Sequence, residues 1–148
     1  MFAQWGDGSA GYSIFEYDTF VRHGVSIIGV IGNDSCWMQI ARDQVSTFQD
    51  DVGCPLSPDC HYERVAASLG GAGWCVADDG SDVLERGTTV GRDDDGYGGR
   101  LPPQELDAVL ERAKFIAGTG RPTLVNAMIG ASTFREGSIS SECGRASL

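Results

Sequence analysis

The sequence contains few basic residues and no long apolar segment. Lys and Arg number 11 against 21 Asp and Glu in 148 residues, which gives a formal net charge of -10. This acidity disfavours nucleic acid or an anionic membrane as partners, because both are negatively charged. The longest apolar run, 25–31, is far shorter than a membrane span, and the first residues lack the pattern of a signal peptide. We therefore expect a soluble protein in which a bound cation is more plausible than a polyanion.

Cysteine content and chain length exclude two further classes. The five cysteines are odd in number and irregularly spaced, so we expect reduced thiols and no disulfide framework. Cys54, Cys60 and His61 do not have the spacing of a zinc finger or ribbon. A chain of 148 residues holds one domain. Any function that needs two large domains must therefore take the second from elsewhere.

Strand and helix patterns alternate along the chain. Short apolar runs typical of buried strands occur at 2–5, 25–31, 72–77 and 123–129. Helical periodicity follows them, in 13–23, 38–48, 62–69 and 102–118. This alternation predicts an α/β fold with an open, doubly wound parallel sheet and helices on both faces.

One segment breaks the alternation. Residues 78–100 contain six Asp and six Gly, too few apolar side chains to form a core. We predict one domain at 1–139 with an acidic, glycine-rich insertion at 78–100, followed by a flexible tail at 140–148.

Glycine is abundant, and its pattern near the N-terminus indicates a ligand site. The 21 glycines are twice the usual share of about 7%. Gly6, Gly8 and Gly11 follow a predicted strand in a G-x-G-x-x-G pattern, and Asp34 ends the next strand. The carboxyl ends of parallel strands meet at one edge of a sheet, so both loops should face one crevice. The pattern is typical of dinucleotide binding, which makes an NAD(P)-binding oxidoreductase domain one hypothesis.

Charge favours a different ligand for the same turn. A pyrophosphate at this turn would meet the carboxylate of Asp7, and the two anions would repel even at an effective dielectric constant of about 20. Mg²⁺ would remove the conflict, because it binds carboxylate and phosphate oxygens together. Asp7 and the Asn33-Asp34 pair offer such ligands, while Gly8 and Ser9 can approach the phosphates.

These residues carry a resemblance to a known family. Gly6-Asp7-Gly8-Ser9 followed by Asn33-Asp34 resembles the thiamine diphosphate signature, GDG then NN, of acetolactate synthases, pyruvate decarboxylases and their relatives. The stretch from Gly6 to Gln44 is similar to the acetolactate synthase-like group, also called 2-hydroxyacyl-CoA lyase 2, as are the segments at 121–126 and 134–139. The resemblance covers most of 5–77 and 104–139. It implies a thiamine diphosphate-binding fold truncated at its N-terminal end.

The resemblance also implies roles for individual residues. Asp7 and Asp34 would bind Mg²⁺, with the backbone carbonyl of Cys36 completing the protein ligands, and Asn33 is the alternative to Asp34. The chain departs from the family here, because Asp34 stands where relatives have Asn. The cofactor contacts are Gly6, Asp7, Gly8, Ser9, Asn33, Asp34, Trp37 and Met38, although core packing is an equal alternative for Trp37 and Met38.

The chemistry implied by the resemblance needs a part that this chain lacks. The activating glutamate of the family lies on an N-terminal pyrimidine-binding domain, usually of a partner subunit, so we expect no catalytic residue here. The seven glutamates of this chain, Glu63 among them, are interpreted as solvated acids. The leading hypothesis is the cofactor domain of a thiamine-dependent C–C lyase or transferase acting on a 2-oxo or 2-hydroxyacyl substrate, homo-oligomeric at full length. A non-catalytic remnant of such an enzyme is a third hypothesis, and a targeting segment would lie upstream of Met1.

Overall fold

The computed structural model describes residues 1–58, 60–77 and 97–130, without the side chain of Tyr97. The predicted insertion up to residue 96, the segment at 134–139 and the tail at 140–148 lie outside the described residues. The elements in chain order are β1 (Phe2–Gly6), α1 (Asp7–Ser13), α2 (Glu16–Arg22), β2 (Ile28–Asn33), α3 (Met38–Phe48), α4 (Tyr62–Ser68), β3 (Ala72–Val76), β4 (Tyr97–Leu101), a 3-10 turn (Pro103–Glu105), α5 (Leu106–Gly118) and β5 (Thr123–Met128).

The five strands form one parallel sheet. Their order is β1-β2-β5-β3-β4, so the last strand in sequence lies at the centre. Strand β5 pairs with β2 over its whole length, from Ile28 opposite Thr123 to Asn33 opposite Met128. The central strands are buried, as the near-continuous apolar runs in their sequences predict. The predicted α/β fold with a parallel sheet is confirmed.

Helices cover both faces of the sheet. On one face, α5 packs Val109, Ala113 and Ile116 against strand residues that include Val125. On the other face, α1, α2 and α4 form a second cluster with Leu124. Successive residues of a strand point to opposite faces, so β5 contributes to both clusters.

A glycine in β3 allows α4 to lie unusually close to the sheet. A Cβ atom at Gly73 would overlap the backbone carbonyl of Glu63 in α4. The missing side chain therefore places the backbone of α4 directly on the strand. As a result, the side chain of Glu63 is fully buried between helix and sheet.

Two element starts and one missed strand are the main differences from the sequence-based expectation. Helix α1 begins at Asp7, inside the segment expected to be a glycine turn. Strand β2 runs from Ile28 to Asn33, three residues later at its start than the apolar run predicts. Strand β4 was missed, because its first four residues, 97–100, were assigned to the insertion. Gly98 in β4 lies against the ring of Trp74, so its lack of a side chain accommodates that ring.

The helices are short. Within 1–58, 60–77 and 97–130, none is long and apolar enough to cross a membrane.

Candidate functional site

The two loops expected to form the site lie side by side. Strands β1 and β2 pair in register through Gly6 opposite Gly32, which brings their carboxyl ends together. Asp7 follows the end of β1, and Asn33 is the last residue of β2. The parallel sheet thus places the predicted ligand residues at one edge. Residues 33–36 are called the metal loop below.

Asp7 is buried and joins the two loops. Its side chain is 3% exposed. The Oδ1 atom accepts a hydrogen bond of 2.9 Å from the backbone N–H of Gly8. The Oδ2 atom accepts a 3.0 Å bond from the backbone N–H of Cys36, 29 residues away in the sequence. The carboxylate therefore fixes the distance between the two strand ends.

The negative charge of Asp34 is disfavoured by its surroundings, which include the carboxylate of Asp7. Partial burial raises the pKa of the Asp34 carboxyl, and the negative charge of Asp7 raises it further. The backbone N–H of Cys36, which donates to Asp7, acts in the opposite direction and lowers the pKa of Asp34. Two neighbouring carboxylates that repel each other suit a divalent cation, whose charge removes the repulsion.

Both polar atoms of the Asn33 side chain are used in hydrogen bonds within the protein. Its side chain is 1% exposed. The Nδ2 atom donates to Oδ1 of Asn126 at 3.1 Å, and its Oδ1 accepts the backbone N–H of Ser35 at 3.1 Å. Ser35 has a positive φ of 58°, which is uncommon for a residue other than glycine. Asn33 thus shapes the metal loop, and of the two alternatives the geometry favours Asp34 as the cation ligand.

Gly8 and Trp37 are in direct contact across the site. A Cβ atom at Gly8 would lie 2.5 Å from Cδ2 of Trp37, so only glycine fits under the indole ring. The edge of the indole meets the ring of Tyr12, with centroids 5.6 Å apart. Trp37 and Met38 are half-buried and belong to neither core cluster, which disfavours the alternative that they are core residues. Ser9 is exposed at the start of α1, where a phosphate oxygen can reach it.

The cavity beside α1 is small. It has a volume of about 110 Å³ and is lined by Ser9 together with residues of β1, α1 and α2, including Trp5 and Phe20. Pockets that enclose a cofactor-sized ligand usually measure roughly 300 to 1,000 Å³. This cavity is too small for such a ligand, and its lining includes neither Asp7 nor Asp34, so it is distinct from the space between the two carboxylates.

The described residues contain no cluster of three or more His, Cys, Asp or Glu side chains that could hold a metal ion. Cys54, Cys60 and His61 are thus not brought together as a group of this kind. A Mg²⁺ ion held by Asp7 and Asp34 would need oxygens from the backbone, water and phosphate, which are the ligands that Mg²⁺ usually keeps. Burial and the charge of Asp34 raise the pKa of the Cys36 thiol, so it is protonated at neutral pH and unsuited to nucleophilic chemistry.

The expectation that Glu63 is a solvated acid is wrong. Its side chain is fully buried and accepts a hydrogen bond of 2.8 Å from Nδ2 of Asn126. Nδ1 of His61 lies 2.8 Å from Oε1 of Glu63. The sequence pattern of α4 does not reveal this burial. The absence of a side chain at Gly73 allows the backbone of Glu63 to lie against the sheet.

Comparisons with known proteins decide the family. A family model described as "Thiamine pyrophosphate enzyme, C-terminal TPP binding domain" matches residues 1–97. The chain belongs to this family. It is the thiamine diphosphate-binding, C-terminal type of domain found in enzymes that use this cofactor, and the predicted family and the predicted thiamine diphosphate cofactor are confirmed.

Individual relatives agree with this assignment. The chain is 40% identical over 137 residues to 2-hydroxyacyl-CoA lyase 2 of Caenorhabditis elegans and 42% identical over 139 residues to that of Xenopus laevis. It is 31% identical over 123 residues to the acetolactate synthase large subunit IlvG of Mycobacterium tuberculosis. These alignments cover 92%, 92% and 83% of this chain, but only 18%, 19% and 18% of the relatives. The chain therefore spans about a fifth of their length.

A solved structure supports the fold. The thiamine diphosphate-dependent 4-hydroxybenzoylformate decarboxylase of Rhodococcus jostii RHA1 superimposes with a TM-score of 0.61 at 15% identity. The match covers 90% of this chain and 20% of the decarboxylase chain. At this identity the similarity concerns the fold alone.

Proposed function

We propose that this thiamine diphosphate domain holds the diphosphate of its cofactor through a Mg²⁺ ion bound by Asp7 and Asp34. The observation that carries the proposal is the pair of neighbouring carboxylates: Asp7 is buried and accepts the N–H of Cys36, and the pKa of Asp34 is raised by burial and by the charge of Asp7. A cation stabilises such a pair, and a diphosphate then completes its coordination. The backbone carbonyl of Cys36 is the third protein ligand in the proposal.

The residues around the carboxylates fit a diphosphate. Gly8 is the second residue of α1 and lies under the ring of Trp37, while the exposed hydroxyl of Ser9 is free to donate to a phosphate oxygen. Gly6 precedes them with extended backbone at φ -79° and ψ 160°. Trp37 and Met38 follow the metal loop and flank this space. Gly6, Gly8, Ser9, Trp37 and Met38 are therefore the proposed cofactor contacts beside the metal ligands.

The contribution of this chain to chemistry is binding and orientation. Thiamine diphosphate, when bound, supplies the carbanion stabilisation needed to break or form a carbon–carbon bond. Asp7 and Asp34 would hold the diphosphate end, and the Trp37 ring would exclude water from one side of it. We assign no proton-transfer residue to this chain.

The whole-protein activity is proposed from the relatives. Enzymes named 2-hydroxyacyl-CoA lyase and acetolactate synthase are about five times longer than this chain. We propose a lyase or transferase that acts on a small 2-oxo or 2-hydroxyacyl substrate. It would require a pyrimidine-binding domain from the same or a partner subunit, and it would act as a homo-oligomer.

The dinucleotide hypothesis is disfavoured by the geometry of the glycine turn. In dinucleotide-binding turns, the third glycine permits close packing of helix on strand. Here a Cβ atom at Gly11 would meet nothing within 4 Å, so that packing is absent. The buried carboxylate of Asp7 would also face the pyrophosphate directly.

A tryptophan-fluorescence titration tests the proposal. Trp37 covers Gly8 and Trp5 lies in β1, so ligand binding at the turn should alter their emission. We expect a saturable change with thiamine diphosphate that requires Mg²⁺ and is absent when EDTA is added. NADH serves as the control ligand. A saturable response to NADH together with none to thiamine diphosphate and Mg²⁺ would refute the proposed function.

A further inference from the structure

A chain of buried hydrogen bonds connects α4 to the metal loop. It begins at Glu63, whose Oε1 contacts Nδ1 of His61 and whose Oε2 accepts from Nδ2 of Asn126, both at 2.8 Å. It continues through Asn126 to Asn33 and ends at the N–H of Ser35. Glu63, Asn126 and Asn33 are each at most 1% exposed. Buried polar groups of this kind are costly unless all are paired.

The direction of these hydrogen bonds is set by two acceptors, the carboxylate of Glu63 and the carbonyl of Cys60. Both hydrogens of the Asn126 amide are donated, one to Glu63 and one to the carbonyl of Cys60 at 3.1 Å. The Asn126 oxygen therefore faces Asn33 and accepts from its Nδ2 at 3.1 Å. A flipped Asn126 would place its oxygen against the Glu63 oxygens and its NH₂ against that of Asn33. The acceptor at residue 63, together with the carbonyl of Cys60, thus holds the amide of Asn126 in the orientation that directs Nδ2 of Asn33 toward it.

The orientation of Asn33 in turn determines the shape of the metal loop. With its Nδ2 directed to Asn126, the Oδ1 of Asn33 accepts the N–H of Ser35 and holds that residue in its left-handed conformation. The next residue, Cys36, then directs its N–H to Asp7. If Asn33 turned around, Ser35 would lose this acceptor, and the strained backbone could relax.

From these contacts we propose that Glu63 and Asn126 are positioning residues for the cation site. They touch neither Asp7 nor Asp34, and they act through Asn33 on the backbone that carries Asp34 and Cys36. The inference rests on the proposed function, because it assigns the loop to a cation. Outer residues that orient metal ligands typically change metal affinity by about 10- to 100-fold when removed.

Two substitutions at residue 63 separate hydrogen bonding from burial. Glu63→Met keeps the length of the side chain and removes the oxygen acceptors. Glu63→Gln keeps one oxygen for Asn126 and presents its NH₂ to His61. Tyr17→Phe is the matched control, because it also removes a buried hydrogen bond to β5, of 2.9 Å to the carbonyl of Thr123 at the other end of the strand. A loss of stability alone would affect Glu63→Met and the control alike.

The first measurement is the affinity for Mg²⁺ at saturating thiamine diphosphate. We expect Glu63→Met to weaken it by at least about tenfold, Glu63→Gln to restore it to within about threefold, and Tyr17→Phe to leave it unchanged. The second measurement is amide hydrogen exchange in the metal-free protein. We expect faster exchange at Ser35 and Cys36 in Glu63→Met only.

The outcomes distinguish the inference from the proposed function. Wild-type affinity and exchange in Glu63→Met would overturn the inference, as would an equal loss of Mg²⁺ affinity in Tyr17→Phe. If the wild-type chain shows no Mg²⁺-dependent binding, the proposed function fails, and the exchange rates alone decide whether Glu63 shapes the loop. Should Glu63→Met fail to fold, Asn126→Ser breaks the same connection with a small polar side chain and is judged by the same criteria.

Discussion

Replacing Asp7 by Asn should abolish cation-dependent binding at little cost in stability. Asn keeps the acceptor for Gly8 but turns an NH₂ group toward the N–H of Cys36, and leaving a partly buried donor unpaired costs about 1–3 kcal/mol. Relief of the repulsion of Asp34 acts in the opposite direction, since two charges 4 Å apart repel by about 4 kcal/mol at an effective dielectric constant of about 20. Partial exposure of Asp34 reduces that figure. The two effects largely cancel, so we expect a net change below about 2 kcal/mol.

The loss of binding should be much larger than the change in stability. A net change of 2 kcal/mol corresponds to about 4–8 °C in melting temperature for a chain of this size. Removing a charged ligand should weaken Mg²⁺ binding by at least about 100-fold, or about 2.7 kcal/mol. The assay is a Mg²⁺ titration at saturating thiamine diphosphate, with a circular-dichroism melt of the same sample.

A matched control distinguishes the site from general charge. Asp18→Asn also removes one carboxylate, but Asp18 is exposed in α2 and forms an i,i+4 ion pair of 2.7 Å with Arg22. Such pairs contribute at most about 1 kcal/mol, and we expect the Mg²⁺ titration to remain that of the wild type. A folded Asp7→Asn protein with the wild-type Mg²⁺ affinity would refute the assignment of Asp7 as a ligand.

Two further predictions concern the fold. Gly73→Ala should lower the free energy of unfolding by about 1–3 kcal/mol, because the new Cβ overlaps the carbonyl of Glu63. Gly118→Ala is the control: a Cβ there meets nothing within 4 Å, so this substitution should raise the free energy of unfolding by up to about 1 kcal/mol. Urea unfolding of both variants checks this, and a Gly73→Ala protein as stable as the wild type would contradict the packing of α4. Burial raises the pKa of Tyr17 above its ordinary value of 10.0, so folding favours the neutral phenol and stability should fall as the pH rises past 10. Urea midpoints between pH 8 and 11 should fall less in Tyr17→Phe, and equal falls in both proteins would count against this burial.

The sequence predicts the sheet well because its strands are apolar runs. The run at 123–129 and strand β5 agree to within one residue. The start of α1 was missed because glycine disfavours helix, whereas here the buried Asp7 and Ala10 anchor a helix of seven residues against the sheet. Strand β4 was missed for a similar reason, since Gly98 is required by the ring of Trp74 and not by a turn.

The candidate site could also be predicted only in part from the sequence. Asp7 and the metal loop could be placed at one edge from strand order alone, because parallel strands end together. The choice between Asn33 and Asp34 could not be made, since it depends on a hydrogen bond to Asn126, 93 residues away. The burial of Glu63 was equally hidden, because a glycine on a different element permits it.

An anomalous-difference map from crystals grown with thiamine diphosphate and Mn²⁺ in place of Mg²⁺ tests the central claim most directly. The account predicts one strong peak between the carboxylates of Asp7 and Asp34, within coordination distance of the Cys36 carbonyl, with the diphosphate beside Gly8 and Ser9. Bound thiamine diphosphate with the metal peak elsewhere, or with its diphosphate away from Gly8, would contradict the account.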